Sequence, residues 1–441
     1  MVNSGNIDKL ISRPDFASQI APLYGLSGDG LAIQQNRYAK IAAEFQQRFS
    51  EGELYLFSTP GRTEIGGNHT DHNHGRVLAA AVNLDSIAVS AKSHNDVITL
   101  HSDAFPHPFI VDLQNLDIQQ TERGTTAALI RGIAGRFKEL QLQIGGFNAC
   151  VTSDVAVGSG LSSSASVEVL IGTILNHLYN DGRIAPATLA QIGQFAENNY
   201  FGKPCGLMDQ LTCAVGGIVA IDFEDPQKPV FKKVEFDFAA QNYSVLVVNT
   251  GGSHADLTDD YAAIPNEMKA VAQNLGKEFC REISRDDLLK RIQQLRARVG
   301  DRAILRAWHF LGDNDRVVKQ VEALGKDDFE EFLRLVKESG NSSNRWLQNS
   351  YPTHAPAEQG VNLALALTED YLQKINADLP ASSLRQAGAC RVHGGGFAGT
   401  IQVFMPNSAI DEYLHQMRSV FGENAVSVLK IRSQGTVKIS F

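Results

Sequence analysis

The sequence predicts an α+β protein built as two closely joined lobes, and three observations carry that prediction. The chain has 441 residues, more than one hydrophobic core usually serves. Short strand-like apolar runs bounded by turn residues recur between Glu53 and Asp112, return between Gly217 and Asn249, and return again after Gly399. Between the last two groups, Tyr261 to Ile375 repeats its apolar residues at helical spacing almost without a break. Strands and helices that cluster in this way indicate α+β layers.

Taken in order, residues 1–50 read as a polar helical extension, with Tyr38 to Phe49 at helical spacing. Glu53 to Phe57 is a strand that Ser-Thr-Pro-Gly at 58–61 should stop, and Arg62 to Gly75 is expected to be a loop. Strands follow at Ser86 to Ser90, Val97 to His101 and Phe109 to Asp112, then a helix from Thr125 to Leu142 and a strand from Phe147 to Val151. Helices are expected after Gly160, from Pro186 to Tyr200 and from Leu207 to Ala214. Strands are expected at Gly217 to Phe223, Phe231 to Phe236 and Ser244 to Asn249. The end reads strand, helix, strand: Gly399 to Phe404, Ile410 to Phe421 and Ser427 to Ile431. This order divides into the extension (1–50), an N-terminal lobe (51–215) and a C-terminal lobe (216–441), with no internal repeat or low-complexity tract.

Hydrophobic residues at 43% and charged residues at 20% are ordinary for a soluble globular chain. A net charge of −9 argues against nucleic acid as a partner, because that role needs a basic footprint. No stretch approaches the roughly 20 apolar residues of a membrane helix. The N-terminus lacks the basic-then-apolar layout of a signal peptide. Five cysteines without CxxC spacing suggest reduced thiols and a cytoplasmic protein. Composition leaves the oligomeric state open, with a monomer favoured.

Three segments carry chemistry. The first is Val157-Gly-Ser-Gly-Leu-Ser-Ser-Ser-Ala-Ser166, followed by an apolar helix, Val167 to Tyr179. Its glycines let backbone amides approach a bulky anion, and the helix start adds free N–H groups and a positive dipole, so Gly158, Ser159, Gly160, Leu161, Ser162, Ser163 and Ser164 suit a phosphate. A plain Gly/Ser turn capping a helix would read the same way. No Lys follows the second glycine, so this is not a P-loop of the GxxxxGK[ST] type. The second segment runs from Pro60 to Gly75. His69, His72 and His74 with Asp71 have no specific metal-ligand spacing, whereas Asn68, His69 and Asp71 offer the directional hydrogen bonds that hydroxyl recognition needs. The third is Cys205-Gly-Leu-Met-Asp-Gln210, with Glu197 eight residues before it. Asp209 reads either as a carboxylate poised near a substrate hydroxyl or as an ordinary residue at a helix start.

In this order and spacing, the segments resemble the GHMP kinase superfamily, and within it the galactokinases. The family's approximate GRVNLIGEHTDYN stands here as Gly61-Arg-Thr-Glu-Ile-Gly-Gly-Asn-His-Thr-Asp-His-Asn73, GLSSSAS is intact from Gly160 to Ser166, CGIMDQ appears as Cys205 to Gln210, and GGGFGG appears as Gly394 to Gly399. The resemblance runs from about Leu54 to the end of the chain and implies a two-lobed GHMP kinase fold with its active site in the cleft between the lobes. It implies ATP-dependent phosphorylation of a small-molecule sugar, galactose at its C1 hydroxyl. Asp209 would sit at that hydroxyl, as base or as electrostatic guide, and Arg62 would stabilise the transferring phosphoryl group. The 158–164 backbone would cradle ATP, and Ser164 and Glu197 would hold Mg²⁺. Asn68, His69, Asp71, Gly206 and Tyr261 would line the sugar pocket, and Gly394 to Gly396 would help close it.

The chain departs from the family pattern in ways that bear on the sugar. Asn68 stands where the family has a Glu that resembles a ligand for the 6-hydroxyl. Thr63-Glu-Ile-Gly66 replaces Val-Asn-Leu-Ile, His72 replaces Tyr, and Ala398 replaces a glycine. Galacturonate, N-acetylgalactosamine or arabinose are the alternative substrates, and a catalytically silent sugar sensor is the alternative outside enzymes. None of these changes touches Arg62, Asp209, Glu197 or the serine loop.

Overall fold

The computed structural model describes residue 7 and residues 11–49, 52–156, 158–252, 257–378 and 387–440. In chain order the elements are α1 (Pro14–Tyr24), α2 (Gly28–Arg48), β1 (Tyr55–Gly66), β2 (Arg76–Lys92), β3 (Val97–Ser102), β4 (Phe109–Asp112), α3 (Thr126–Glu139) and β5 (Phe147–Ser153). Then come α4 (Ser163–Tyr179), α5 (Pro186–Ala196), α6 (Met208–Val215), β6 (Ile218–Asp222), β7 (Val230–Val234), β8 (Tyr243–Asn249) and α7 (Thr258–Asn274). The remainder is α8 (Arg285–Lys290), α9 (Ile292–Gly325), α10 (Phe329–Ser342), α11 (Gly360–Asp378), β9 (Ala389–His393), β10 (Thr400–Pro406), α12 (Ile410–Phe421), β11 (Val426–Leu429) and β12 (Val437–Ile439).

Two sheets organise the lobes. The larger has the order β12-β1-β2-β5-β3-β4, with β6 also on β2 and β7 on β6, and among the described residues only its β3–β5 pair is parallel. The smaller is β11-β8-β10-β9, antiparallel throughout. Hydrogen bonding of the first sheet therefore continues past residue 216 to Val234 and takes back Val437–Ile439 from the chain end.

Period-two alternation sorts side chains to the two faces of the first sheet. Phe57 and Ala88 face α3, α4 and α5, while Leu56, Ile87 and Val89 face the helices of the extension. The extension is thus a second layer over that sheet. Its Tyr24 hydroxyl donates to Asp85 at 2.7 Å, and Arg37 bonds both Asp85 and Asp154. A separate core joins the lobes, with Ile65, Leu78 and Leu161 packed among Val245, Phe329, Phe332 and Phe404.

The expected stop at residues 58–61 does not occur. β1 runs on through Arg62 to Gly66, and Pro60 and Gly61 fall at a register shift against β2. A bulge tolerates proline inside a sheet, because its missing N–H falls where the ladder is already broken. The strand is therefore long enough to carry Arg62 from the first sheet into the space between the lobes.

Candidate active site

Arg62 leaves β1 buried and grips a carboxylate on another element. Its Nε and Nη2 donate to Asp209 Oδ1 and Oδ2, both at 2.7 Å, in a bidentate pair. Asp209 lies in the first turn of α6, where the helix dipole also favours negative charge. The Ser162 hydroxyl donates to the same carboxylate, and Arg62 Nη1 donates to the Gly160 carbonyl. Burial alone would push the Asp209 carboxyl up, but Arg62, with help from Ser162 and Lys203, holds it below its ordinary value. Arg62 is nearly closed off at 7% side-chain exposure, while Asp209 keeps 29%. The arginine is the enclosed member of the pair, and the carboxylate is the exposed one.

The serine loop stands beside this pair. Ser162 caps α4 in the left-handed region (φ 60°, ψ 62°), a conformation that costs energy in any residue but glycine and is kept where the surroundings demand it. Val157 lies outside the described residues. The first N–H groups of α4 have no partner inside the helix and point out of its start. Gly160 has φ +73°, and a side chain there would meet Thr400 Oγ1 at 2.6 Å and His393 Nδ1 at 2.8 Å. The second sheet therefore presses on the loop at a point that only glycine permits.

Glu197 ends α5 at a π-helical turn, Glu197–Phe201, and is buried. Its Oε1 accepts from Ser164 Oγ at 3.2 Å and lies 3.5 Å from Lys203 Nζ, and its Oε2 accepts from Gln210 at 2.9 Å. Gln210 also donates to Glu168 at 2.9 Å. Burial and the nearby Glu197 push Glu168 well above the ordinary carboxylate range. Ser164 and Glu197 thus offer two hard oxygens side by side at the head of α4. That set fits Mg²⁺, which takes one or two protein ligands and fills its shell with phosphate oxygens and water.

The segment after β1 meets the late glycine loop of the other lobe. Three successive carbonyls of that loop each accept from a side chain. Asn68 Nδ2 donates to Gly394 at 2.7 Å, His69 as its Nε2–H tautomer donates to Gly395 at 2.8 Å, and the Tyr261 hydroxyl donates to Gly396 at 3.2 Å. Burial drives His69 down to about 4, so it stays neutral. Burial and Asp260 push Tyr261 up to about 12. Asp71 packs its carboxylate on Gly206, where an added Cβ would lie 1.9 Å from Oδ2. Arg62, Asp209 and Ser162 thus form one cluster, Asp71 packs on Gly206 three residues before Asp209, and His69 and Tyr261 meet at the late glycine loop.

Asn68 stands apart from that group. It is fully buried, and its side chain is bonded on every polar atom within the protein. Sequence reasoning does not name as site residues four that the structure places here: Glu64, which falls inside the Gly61–Asn73 motif as a departure from the family pattern, and Asn349, Arg391 and His393, which lie far from it along the chain. Asn349 Nδ2 donates to Asn68 Oδ1 at 2.8 Å and to Gly395 O at 3.2 Å, while Arg391 pairs with Glu64 at 2.5 Å.

The family model for the GHMP kinases N terminal domain fits residues 128–217, and that for the galactokinase galactose-binding signature fits residues 43–92. Galactokinase of Glaesserella parasuis serovar 5 is 30% identical over 390 residues, 86% of this chain and 92% of that one. Galactokinase of Homo sapiens is 28% identical over 417 residues, 92% and 98% of the two chains. Among solved structures, Lactococcus lactis galactokinase complexed with galactose superposes with a TM-score of 0.73 at 22% identity, covering 90% of this chain and 98% of that one. A mevalonate kinase superposes at 0.58 and 17% identity, covering 85% and 98%.

Proposed function

This chain belongs to the galactokinase family of the GHMP kinases, and we propose that Asp209 and Arg62 carry out its reaction, phosphorylation of galactose at the C1 hydroxyl. It is a sugar kinase, an ATP-using phosphotransferase that acts on galactose. The observation that carries the assignment of roles is the bidentate Arg62–Asp209 pair, set beside the serine loop with its carboxylate open to the cleft.

A carboxylate held below its ordinary pKa is a weak proton acceptor. Asp209 therefore acts mainly by orienting the sugar hydroxyl and favouring the partial positive charge on its hydrogen, and takes the proton late. Phosphoryl transfer passes through a loose transition state, so alignment and charge neutralisation do most of the work. Arg62 fixes Asp209 in line with the loop at Gly158 to Ser164, whose amides and helix start would receive the phosphates. His69, Asp71, Gly206 and Tyr261 form the wall that would hold the sugar. Ser164 and Glu197 would hold Mg²⁺, which when bound supplies positive charge to the ATP phosphates.

Among the described residues no helix is long and apolar enough to cross a membrane. All five cysteines are free, which supports a reducing compartment such as the cytoplasm. The test is ADP release from ATP and Mg²⁺ with galactose, galacturonate, N-acetylgalactosamine, arabinose and glucose in parallel. Turnover with galactose above all the others is the expected result. Turnover led by another sugar would overturn the substrate, and calorimetric sugar binding without turnover would indicate the sensor instead.

A further inference from the structure

Asn68 forms six hydrogen bonds, all within the protein. Its backbone N–H donates to Asp313 at 2.8 Å, and its carbonyl accepts from His309 at 3.0 Å. Its side-chain Nδ2 donates to Glu64 Oε1 at 2.9 Å and to the Gly394 carbonyl at 2.7 Å. Its Oδ1 accepts from Asn349 at 2.8 Å and from Ser343 at 3.3 Å. A carboxamide has two donors and two acceptor sites, and all four are in use. This side chain has nothing left with which to bind a sugar hydroxyl.

Glu64, which orients it, is equally enclosed. The Glu64 carboxylate at 4% exposure meets Arg391 at 0%. Arg391 has no other salt-bridge partner among the described residues, and its Nε and Nη1 lack hydrogen-bond partners there. Burial raises Glu64, while Arg391, Arg62 and Asn68 oppose that rise. Where the family motif reads Asn and then Glu four residues later, this chain reads Glu64 and then Asn68. One carboxylate and one carboxamide are kept, in exchanged places and in contact with each other.

We propose that Glu64 and Asn68 work as one exchangeable positioning unit, which holds the Gly394–Gly396 loop against the sugar site and so sets sugar affinity. The negative charge missing at position 68 has moved to position 64, where Arg391 neutralises it. Asn68 passes its orientation to the loop through Gly394, and Asn349 does the same through Gly395. On this basis Asn68 does not open the pocket to a 6-carboxylate, and Glu64, Asn349 and Arg391 join it as positioning residues. The sugar-affinity part rests on the kinase reading above.

The test is a double-mutant cycle on the full chain with Glu64→Asn, Asn68→Glu and the pair together, read by urea midpoint and by galactose KM and kcat. Each single change should raise galactose KM at least about tenfold while kcat stays within about threefold, the mark of lost ground-state positioning. The double exchange should bring KM back to within about threefold of the parent and recover the midpoint, because coupled neighbours are not additive. A double variant whose losses equal the combined losses of the singles would overturn the proposal. Should either single variant fail to fold, Glu64→Gln and Asn349→Ala take its place. A rise in KM at constant kcat supports the unit, and an unchanged KM in both overturns it. If the parent protein itself releases no ADP, the kinase reading fails, and the urea-midpoint cycle still decides whether the two residues are coupled.

Discussion

Two arginine–carboxylate pairs leave β1 two residues apart, and they differ in almost everything but composition. At Arg62 the strand supplies the cation and α6 the carboxylate, whereas at Glu64 the strand supplies the carboxylate and β9 the cation. The first pair is bidentate at 2.7 Å, with Ser162 adding a third donor to Asp209. The second rests on one contact at 2.5 Å. Asp209 keeps part of its surface in the cleft and is held ionised. Glu64 is sealed between the lobes, and burial pulls it the other way. The same kind of ion pair thus keeps an accessible carboxylate at Asp209, where we place the chemistry, and forms an enclosed joint at Glu64.

Substitution on the open side should produce the largest effect. Asp209→Asn should cut kcat by at least about a thousandfold while ATP KM moves less than about threefold, since the role proposed for the group is exerted in the transition state. The fold should persist, because asparagine keeps one oxygen for the buried Arg62, and a cooperative urea transition checks that. Activity within tenfold of the parent would remove Asp209 from the mechanism and erase the distinction between the two pairs.

The sealed side should fail in the opposite sense. Arg391→Met leaves Glu64 buried without its counter-ion and should cost about 3–5 kcal/mol of folding stability. Equilibrium urea unfolding measures that loss. An undiminished midpoint would show that the second pair bears no load at the lobe junction.

The smallest expected effect is a flat pH profile. A carboxyl whose folded pKa is depressed contributes stability above its unfolded value of about 3.9 and loses it as pH falls through the folded value. Asp209 therefore stays ionised throughout the neutral and mildly acid range. His69, held down at about 4, stays neutral there as well. Between pH 5 and pH 7 neither group should bend kcat/KM for galactose. A bend above pH 5 that disappears in Asp209→Asn or His69→Asn would contradict the environments described for them.

The chemistry-bearing loops could be read from sequence because each is local. Gly160 to Ser166 folds within a few residues, its small side chains have few other uses, and an apolar helix follows at once. Cys205 to Gln210 likewise places Asp209 in a helical first turn by itself. The strand carrying Arg62 was harder to read, because proline and glycine at 60 and 61 signal a stop that a bulge overrides. Asn68 shows the limit of residue chemistry. Its type suits a hydroxyl ligand, yet which way an amide faces is set by neighbours, and here they come from Glu64, Ser343, Asn349 and Gly394.

By itself the sequence determined the α+β character, which depends on the periodicity of neighbours along the chain, and the resemblance of its motifs pointed to the family; the phosphate-suited loop and Asp209 stood out as candidates. Only the tertiary structure decided who meets whom. Arg62 finds Asp209 across 147 residues, Asn349 finds Asn68 across 281, and Arg391 finds Glu64 across 327. Contacts at such separations leave no period or spacing in a single sequence. They arise because packing the two lobes on a shared core brings β1, α6 and β9 together, and burial at that junction requires each charge and amide to find a partner.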